Sequence, residues 1–346
     1  MNQYASILLA AALGFGITAL LGFPVIPWLR KLKIGQTILD IGPKWHKSKQ
    51  GTPTMGGLLF AAGTVGALVI TLLLDALLGG DILGSGAGST AEGGIMRAKL
   101  WSGLLMSLAF LMVGFMDDYV KVVKKRNKGL SIGQKTLVQL LIIFSYLASL
   151  YLASGRNPST YVPFVGEVRL GVFHWIFGAM VLYATTNAVN FTDGLDGLCT
   201  SVTTTAAIAF GVVAALRGLL GFSMMASALA GACVGFLMWN RYPAKVIMGD
   251  TGSMFLGGMM VALAYAVDCP LLLLPIGIIY VIEGLSDVLQ IGYYRLTGGK
   301  RIFKMAPIHH HFEMVGWSEK KIVKIFTAVN ILGCAAGIAV MYFAEN

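Results

Sequence analysis

Residues 100–119 read L-W-S-G-L-L-M-S-L-A-F-L-M-V-G-F-M-D-D-Y. No charge interrupts the run from Leu100 to Met116, which ends on two adjacent carboxylates, Asp117 and Asp118. A helix needs about 20 predominantly apolar residues to cross about 30 Å of hydrocarbon. The stretch therefore reads as a membrane span whose acidic end meets one aqueous face. Outward from it, nine more such stretches lie at 4–29, 55–79, 137–154, 173–189, 200–217, 222–239, 252–268, 270–292 and 322–343. The 346-residue chain is 56% hydrophobic and 12% charged, about half the charged content of ordinary soluble domains. The expected fold class is an all-α polytopic membrane protein of about ten transmembrane helices. Residues 1–346 are expected to form one integral membrane domain, because no repeat, low-complexity tract or long linker divides them. No Lys or Arg precedes the first apolar run, so that run is expected to remain as a helix rather than to be cleaved as a signal. Cys199, Cys233, Cys269 and Cys334 stand singly in or beside apolar runs and read as small packing residues, without the spacing of zinc or redox ligands.

Basic residues are retained preferentially on the cytoplasmic side of a membrane. Of the 26 Lys and Arg, 20 fall in the odd-numbered connections between the ten stretches and only 5 in the even-numbered ones. The N and C termini are therefore expected on the extracytoplasmic side, with the odd connections in the cytoplasm. The net charge of +10 thus belongs mostly to one face, where it serves orientation, anionic headgroups or an anionic substrate.

Orientation does not explain the acids on that same face. Two carboxylates about 4 Å apart repel by about 4 kcal/mol at an effective dielectric of about 20, and the C-terminal end of a helix dipole adds to the cost. Asp117 and Asp118 therefore call for a cation. On a continuing helix Lys121 and Lys125 share the stripe of Asp117; the plainer reading is a solvated helix end with ordinary ion pairs. The third cytoplasmic connection, N-F-T-D-G-L-D-G from Asn190 to Gly197, has two acids, Asp193 and Asp196, and no basic residue. A helix N-cap accounts for one of them but not both, and the spacing is not that of an EF-hand loop. The fourth, W-N-R-Y-P-A-K-V-I-M-G-D-T-G-S, carries Asn240 and sets Asp250 beside a helix start. Asp250 reads either as a cap or as a carboxylate next to free N–H groups that attract a metal phosphate.

The fifth connection contains M-A-P-I-H-H-H-F-E, with His309, His310, His311 and Glu313. Three consecutive imidazoles cannot all face one way, so they suit a polar wall against phosphates better than a zinc site. An incidental surface cluster is the alternative. In the first connection, K-W-H-K-S-K-Q-G-T-P-T-M-G-G at 44–57 offers Lys49 and Thr54 to a phosphate oxygen without the pattern of a P-loop. Glu283 and Asp287, four apart in the ninth stretch, read as a local structural pair. An ion-coupled transporter is the rival class, but it predicts acids near the midplane and a repeat between halves.

Taken in order, D-D-x-x-K-x-x-x-K, N-F-x-D-G-x-D-G, M-G-D-T-G-S and A-P-x-H-H-H-F-E resemble the polyprenyl-phosphate N-acetylhexosamine-1-phosphate transferases, from about Lys44 to Glu313. The resemblance implies a Mg²⁺-dependent enzyme of the bacterial cytoplasmic (inner) membrane with its active site on the cytoplasmic face. It further implies transfer of phospho-N-acetylmuramoyl-pentapeptide from UDP-N-acetylmuramoyl-pentapeptide to undecaprenyl phosphate, giving lipid I and UMP. By the same resemblance Asp117, Asp118 and Asp250 are the catalytic acids, with Mg²⁺ at Asp250. Lys49, Thr54, Lys121, Lys125, Asn190, Asp193, Asp196, Asn240, His309, His310 and His311 line the substrate pocket. Membrane lipids are the other expected partners and nucleic acid is not; oligomeric state stays open, a homodimer included. The chain departs from the family's habit twice. Ile247 stands where Phe often precedes the Met of M-G-D, and Gly133 stands where many members have Lys, for which Lys128 or Lys135 is the substitute at hand.

Overall fold

The computed structural model describes residues 2–31, 49, 51–84, 91–123 and 129–346. Lys125 and Lys128 lie outside the described residues. The chain is mostly helical: α1 (Gln3–Lys31), α2 (Gly57–Leu77), α3 (Ala91–Val123), α4 (Ile132–Ala153), α5 (Phe173–Thr192), α6 (Leu198–Leu216), α7 (Leu220–Asn240), α8 (Gly249–Ala266), α9 (Leu273–Ile276), α10 (Ile278–Leu296), α11 (Ile308–Met314) and α12 (Glu319–Glu345). Seven of these, α1 to α4, α6, α7 and α12, are long and apolar enough to cross a membrane, and the bent pair of α9 and α10 brings the number up to eight.

α8 is the axis of the bundle. Every residue from Thr251 to Ala266 is buried, with α3 packed along one side and α5 and α2 along others. α1 lies against α7, and α6 joins α7 to α12. In lipid the apolar effect does not drive helices together, so close approach of small residues must do so; α7 and α8 are accordingly rich in Gly, Ala and Ser. The outer faces of α1, α4 and α12 expose Leu8, Leu20, Leu141, Leu332 and Phe343, a lipid-facing surface. All four cysteines are buried and free, as their isolation in the sequence predicts.

Two expectations need correction. The stretch 270–292 is not one straight helix. It begins as a 3₁₀ turn at Pro270–Leu272, continues as α9, breaks at Gly277 and resumes as α10 at an angle of 88°. Pro270 and Pro275 have no N–H to give, and Gly277 holds the helix weakly, so the break falls where the ladder cannot be completed. Nor is the chain wholly helical. β1 (Ser159–Val162) and β2 (Gly166–Arg169) pair antiparallel, Tyr161 opposite Glu167. Thr160, Tyr161, Val162 and Val168 favour strand, but a ladder of four residues is too short to stand out in an apolar sequence.

Candidate active site

The end of α3 and the start of α8 meet where Gly114 passes the backbone of Asp250. A β-carbon on Gly114 would lie 2.1 Å from the Asp250 carbonyl oxygen, so only glycine allows this approach. One turn further on, Asp117 and Asp118 face Asp250, and an oxygen of each of the three carboxylates lies within 4.8 Å of the others. Asp118 has a second task. Its Oδ2 accepts the Thr251 N–H at 2.9 Å and the Thr251 hydroxyl at 2.7 Å, so α3 satisfies a free N–H of α8 that its own N-cap residue, Met248, leaves open. Asp250 is therefore not the cap; its carboxylate is left for other partners.

Those partners are cations and amides. Lys121 Nζ lies 2.6 Å from Asp117, 3.8 Å from Asp118 and 3.3 Å from Asp250, while Lys135 Nζ lies 2.9 Å from Asp250. Asn190 donates to Asp250 Oδ1 at 3.1 Å and to Ser253 Oγ at 2.7 Å, and the Leu130 N–H donates to Asp117 Oδ1 at 2.8 Å. Packing around the Asp193 carboxyl, and then the charges of Asp250, Asp118 and Asp196, push it well above the ordinary carboxylate range. Two ammonium groups thus face the three carboxylates of Asp117, Asp118 and Asp250. An all-oxygen donor set left short of positive charge suits a hard divalent cation.

The remaining polar residues sort into a clamp and a wall. Lys49 bridges Asp196 (2.7 Å) and Glu319 (2.6 Å). Burial alone would lower its pKa, but the charges of Glu319 and Asp196 outweigh that and hold it above the usual lysine value. Asp196 also accepts the Ala244 N–H at 2.9 Å, and its own N–H donates to Glu319 at 2.5 Å. Asn240 is buried, accepting from Thr200 Oγ1 at 2.8 Å and donating to the Val246 carbonyl at 3.0 Å, so its amide closes the turn after α7. Thr54 and Asp118 flank Gly249, and residues 53–57 are held to residues 247–248 by Ile247 N–H to Pro53 O (2.8 Å), Gly56 N–H to Ile247 O (2.9 Å) and Gly57 N–H to Met248 O (3.0 Å). On α11, His309 is fully buried with Nδ1 3.0 Å from Glu283, and Nε2 directed at Gly194. His310 pairs with Glu313 at 2.7 Å, and His311 Nδ1 accepts the Lys304 N–H at 3.1 Å.

Residues 49–60 match the phospho-N-acetylmuramoyl-pentapeptide-transferase signature 1, and residues 100–268 match glycosyl transferase family 4. The phospho-N-acetylmuramoyl-pentapeptide-transferase of Clostridium perfringens is 42% identical over 335 residues, 96% of this chain and 96% of that protein. Those of Listeria monocytogenes serotype 4b (43%, covering 96% of this chain and 97% of that one) and Acetivibrio thermocellus (42%, covering 94% and 92%) are similar throughout. This chain belongs to the phospho-N-acetylmuramoyl-pentapeptide-transferase family.

The two departures from the family's habit have structural counterparts. Lys135, two residues after Gly133, delivers its ammonium to Asp250. Ile247 contributes its backbone to the 53–57 contact and brings no aromatic ring. Sequence reading missed Glu319, which sits in no motif that marks it, and, although Thr251 stands inside M-G-D-T-G-S, missed its bonds to Asp118. It also paired Glu283 with Asp287, whereas the hydrogen bond of Glu283 runs to His309 on α11. Glu283 and His309 are both fully buried, and removing one leaves the other without its partner. Glu283→Ala is expected to cost about 1–3 kcal/mol of stability, read as a fall in the thermal midpoint in detergent, while Asp287→Asn leaves the midpoint near the parent's. Equal shifts for both would sink this assignment.

Proposed function

We propose that the protein transfers phospho-N-acetylmuramoyl-pentapeptide from UDP-N-acetylmuramoyl-pentapeptide to undecaprenyl phosphate, giving lipid I and UMP. This is the first membrane step of peptidoglycan synthesis. The observation that carries the reading is the cluster of Asp117, Asp118 and Asp250 with Lys121 and Lys135, in a chain whose relatives bear that enzyme's name along nearly their whole length. On this reading α1 to α8, the bent α9–α10 pair and α12 are ten spans of one domain in the bacterial inner membrane. Both termini lie outside and the acid cluster faces the cytoplasm, as the distribution of Lys and Arg supports.

The reaction exchanges one phosphoanhydride for another, so the protein has to supply position and charge rather than a driving force. Asp250 principally, with Asp117 and Asp118 beside it, would hold a Mg²⁺ ion, which would supply charge neutralisation at the diphosphate. Lys121 and Lys135, already directed at these carboxylates, spread the negative charge that builds up as two anions are brought together. Asn190 and Ser253 orient Asp250. The second pKa of a phosphate lies near 6 and rises beside acids, so Asp117 takes the remaining proton of undecaprenyl phosphate. The freed lipid oxygen bonds to the sugar-linked phosphorus, and the bond from that phosphorus to UMP breaks. Lys49, Thr54, Asp193, Asp196 and the three histidines surround the nucleotide and sugar side of this centre.

The test is UMP release by the purified protein given both substrates. The expected result is release that needs lipid acceptor and Mg²⁺ and stops with EDTA. With labelled donor and no acceptor, no label should stay covalently on the protein; a trapped phospho-aspartate would replace direct displacement with a two-step route. Release from UDP-N-acetylglucosamine but not from the muramoyl donor would move the protein to a sister activity.

A further inference from the structure

The bundle carries a cavity of about 450 Å³ at the end away from the acid cluster. Lys99 on α3 and Asp268, just past α8, line it. Each stands eighteen residues along the chain from a member of the acid cluster, Asp117 and Asp250 respectively. At about 1.5 Å per helical residue that is about 27 Å, close to the thickness of the hydrocarbon layer. The cavity and the acid cluster therefore lie at opposite faces of the membrane, joined by the same helix pair.

Its walls divide by chemistry. Met96, Leu150, Leu219 and Phe222 form an apolar side, while Lys99, Asp268 and Glu167 supply one cation and two anions. Lys99 and Asp268 form an ion pair, in which the Lys99 side chain is largely buried and that of Asp268 is 43% exposed. Glu167, on β2, is exposed. Tyr265 also lines the cavity, and its buried hydroxyl has no hydrogen-bond partner. Asp268 has a left-handed backbone, φ 55°, and the hairpin fixes it there: its carbonyl accepts the Tyr161 N–H at 2.7 Å and the Thr160 hydroxyl at 3.1 Å. A non-glycine residue in that region costs energy and persists only where surrounding contacts impose it, which occurs preferentially at binding sites.

We propose that this cavity is a binding site for a zwitterionic phospholipid with a primary ammonium headgroup, that is, a phosphatidylethanolamine of the leaflet opposite the acid cluster. The charge pattern selects the headgroup. A purely anionic lipid would satisfy Lys99 but set its charge against Asp268 and Glu167, and a purely cationic ligand would meet the reverse conflict. A phosphoethanolamine group places its phosphate on Lys99 and its ammonium on the two carboxylates, exchanging into the existing ion pair. The apolar wall at a membrane end selects a lipid over a soluble zwitterion, since it receives the first methylenes of the acyl chains. The cavity volume lies in the range of ordinary ligand sites.

The test is native mass spectrometry of the full-length, delipidated protein titrated with phosphatidylethanolamine, phosphatidylcholine and phosphatidylglycerol of identical acyl chains. One phosphatidylethanolamine is expected to be retained about tenfold more than either other lipid, because of the three only it sets a cation that also donates hydrogen bonds against the carboxylates. Asp268→Asn should remove that preference. Glu167→Gln, at an exposed position that does not endanger folding, should reduce it. Equal retention of the three lipids would mean an annular layer only and overturn the site. So would a preference for phosphatidylglycerol, a preference unchanged in both variants, or displacement by soluble glycerophosphoethanolamine at equal concentration.

Discussion

Asp250→Asn is expected to lower UMP release by about 10³-fold while leaving the protein folded. The side chain keeps its size, and the amide oxygen can still accept from Asn190, which reaches Oδ1 at 3.1 Å. The charge that draws in both Lys121 and Lys135 is lost. The loss also strips the cluster of the carboxylate whose hydrogen bonds all come from side chains, whereas Asp118 is tied to the Thr251 N–H and Asp117 to the Leu130 N–H. Removing a single preorganised electrostatic group from an active site commonly costs about 10²–10³ in rate, and on the proposed mechanism it would also weaken Mg²⁺ affinity. The measurements are the Mg²⁺-dependent rate and the thermal midpoint with and without Mg²⁺. The parent's midpoint should rise with Mg²⁺ and the variant's should not. A variant within tenfold of the parent rate would remove Asp250 from the centre of the mechanism.

Gly114→Ala is expected to be nearly as severe, although Gly114 has no side chain to bring to the reaction. The added carbon would lie 2.1 Å from one backbone atom of Asp250 and 2.6 Å from the Thr251 nitrogen. Backbone cannot rotate away as a side chain can, so α3 and α8 must separate. Overpacking of this kind costs about 1–3 kcal/mol or more. A displacement of about 1 Å at a reacting centre costs about 10²-fold in rate. Gly133→Ala is the control: at Gly133 an added carbon meets nothing within 4 Å, and alanine near the start of α4 is mildly favourable. Activity and midpoint should collapse in the first variant and hold in the second. If Gly114→Ala keeps full activity, the crossing is looser than its geometry implies.

Much of this was legible in the sequence for a definite reason. Asp117, Asp118 and Asp250 are charges at the edge of apolar runs, where an acid is conspicuous against its surroundings, and the structure brings all three together. The helices were legible because long apolar runs have few other readings. The break at Gly277 was hidden because Pro270 and Pro275 sit inside an apolar run that is long enough to cross unbroken. Asp196 and Asn240 were legible as polar residues out of place, but their bonds to Ala244 and Val246 depend on a turn that no local pattern encodes. Glu319 was invisible for the opposite reason: it opens a helix, where an acidic residue is ordinary.

Glu319 has one more effect, on the order of events during synthesis. Lys49 and Glu319 are separated by 270 residues, and translation proceeds at about 5–20 residues per second. For something on the order of ten seconds the nascent chain holds the Lys49–Asp196 pair without the second carboxylate that Lys49 also binds. The lysine bridge closes only as the last helix enters the bilayer, so a ribosome that stalls before it leaves behind a chain that carries the acid cluster but cannot complete the bridge beside it.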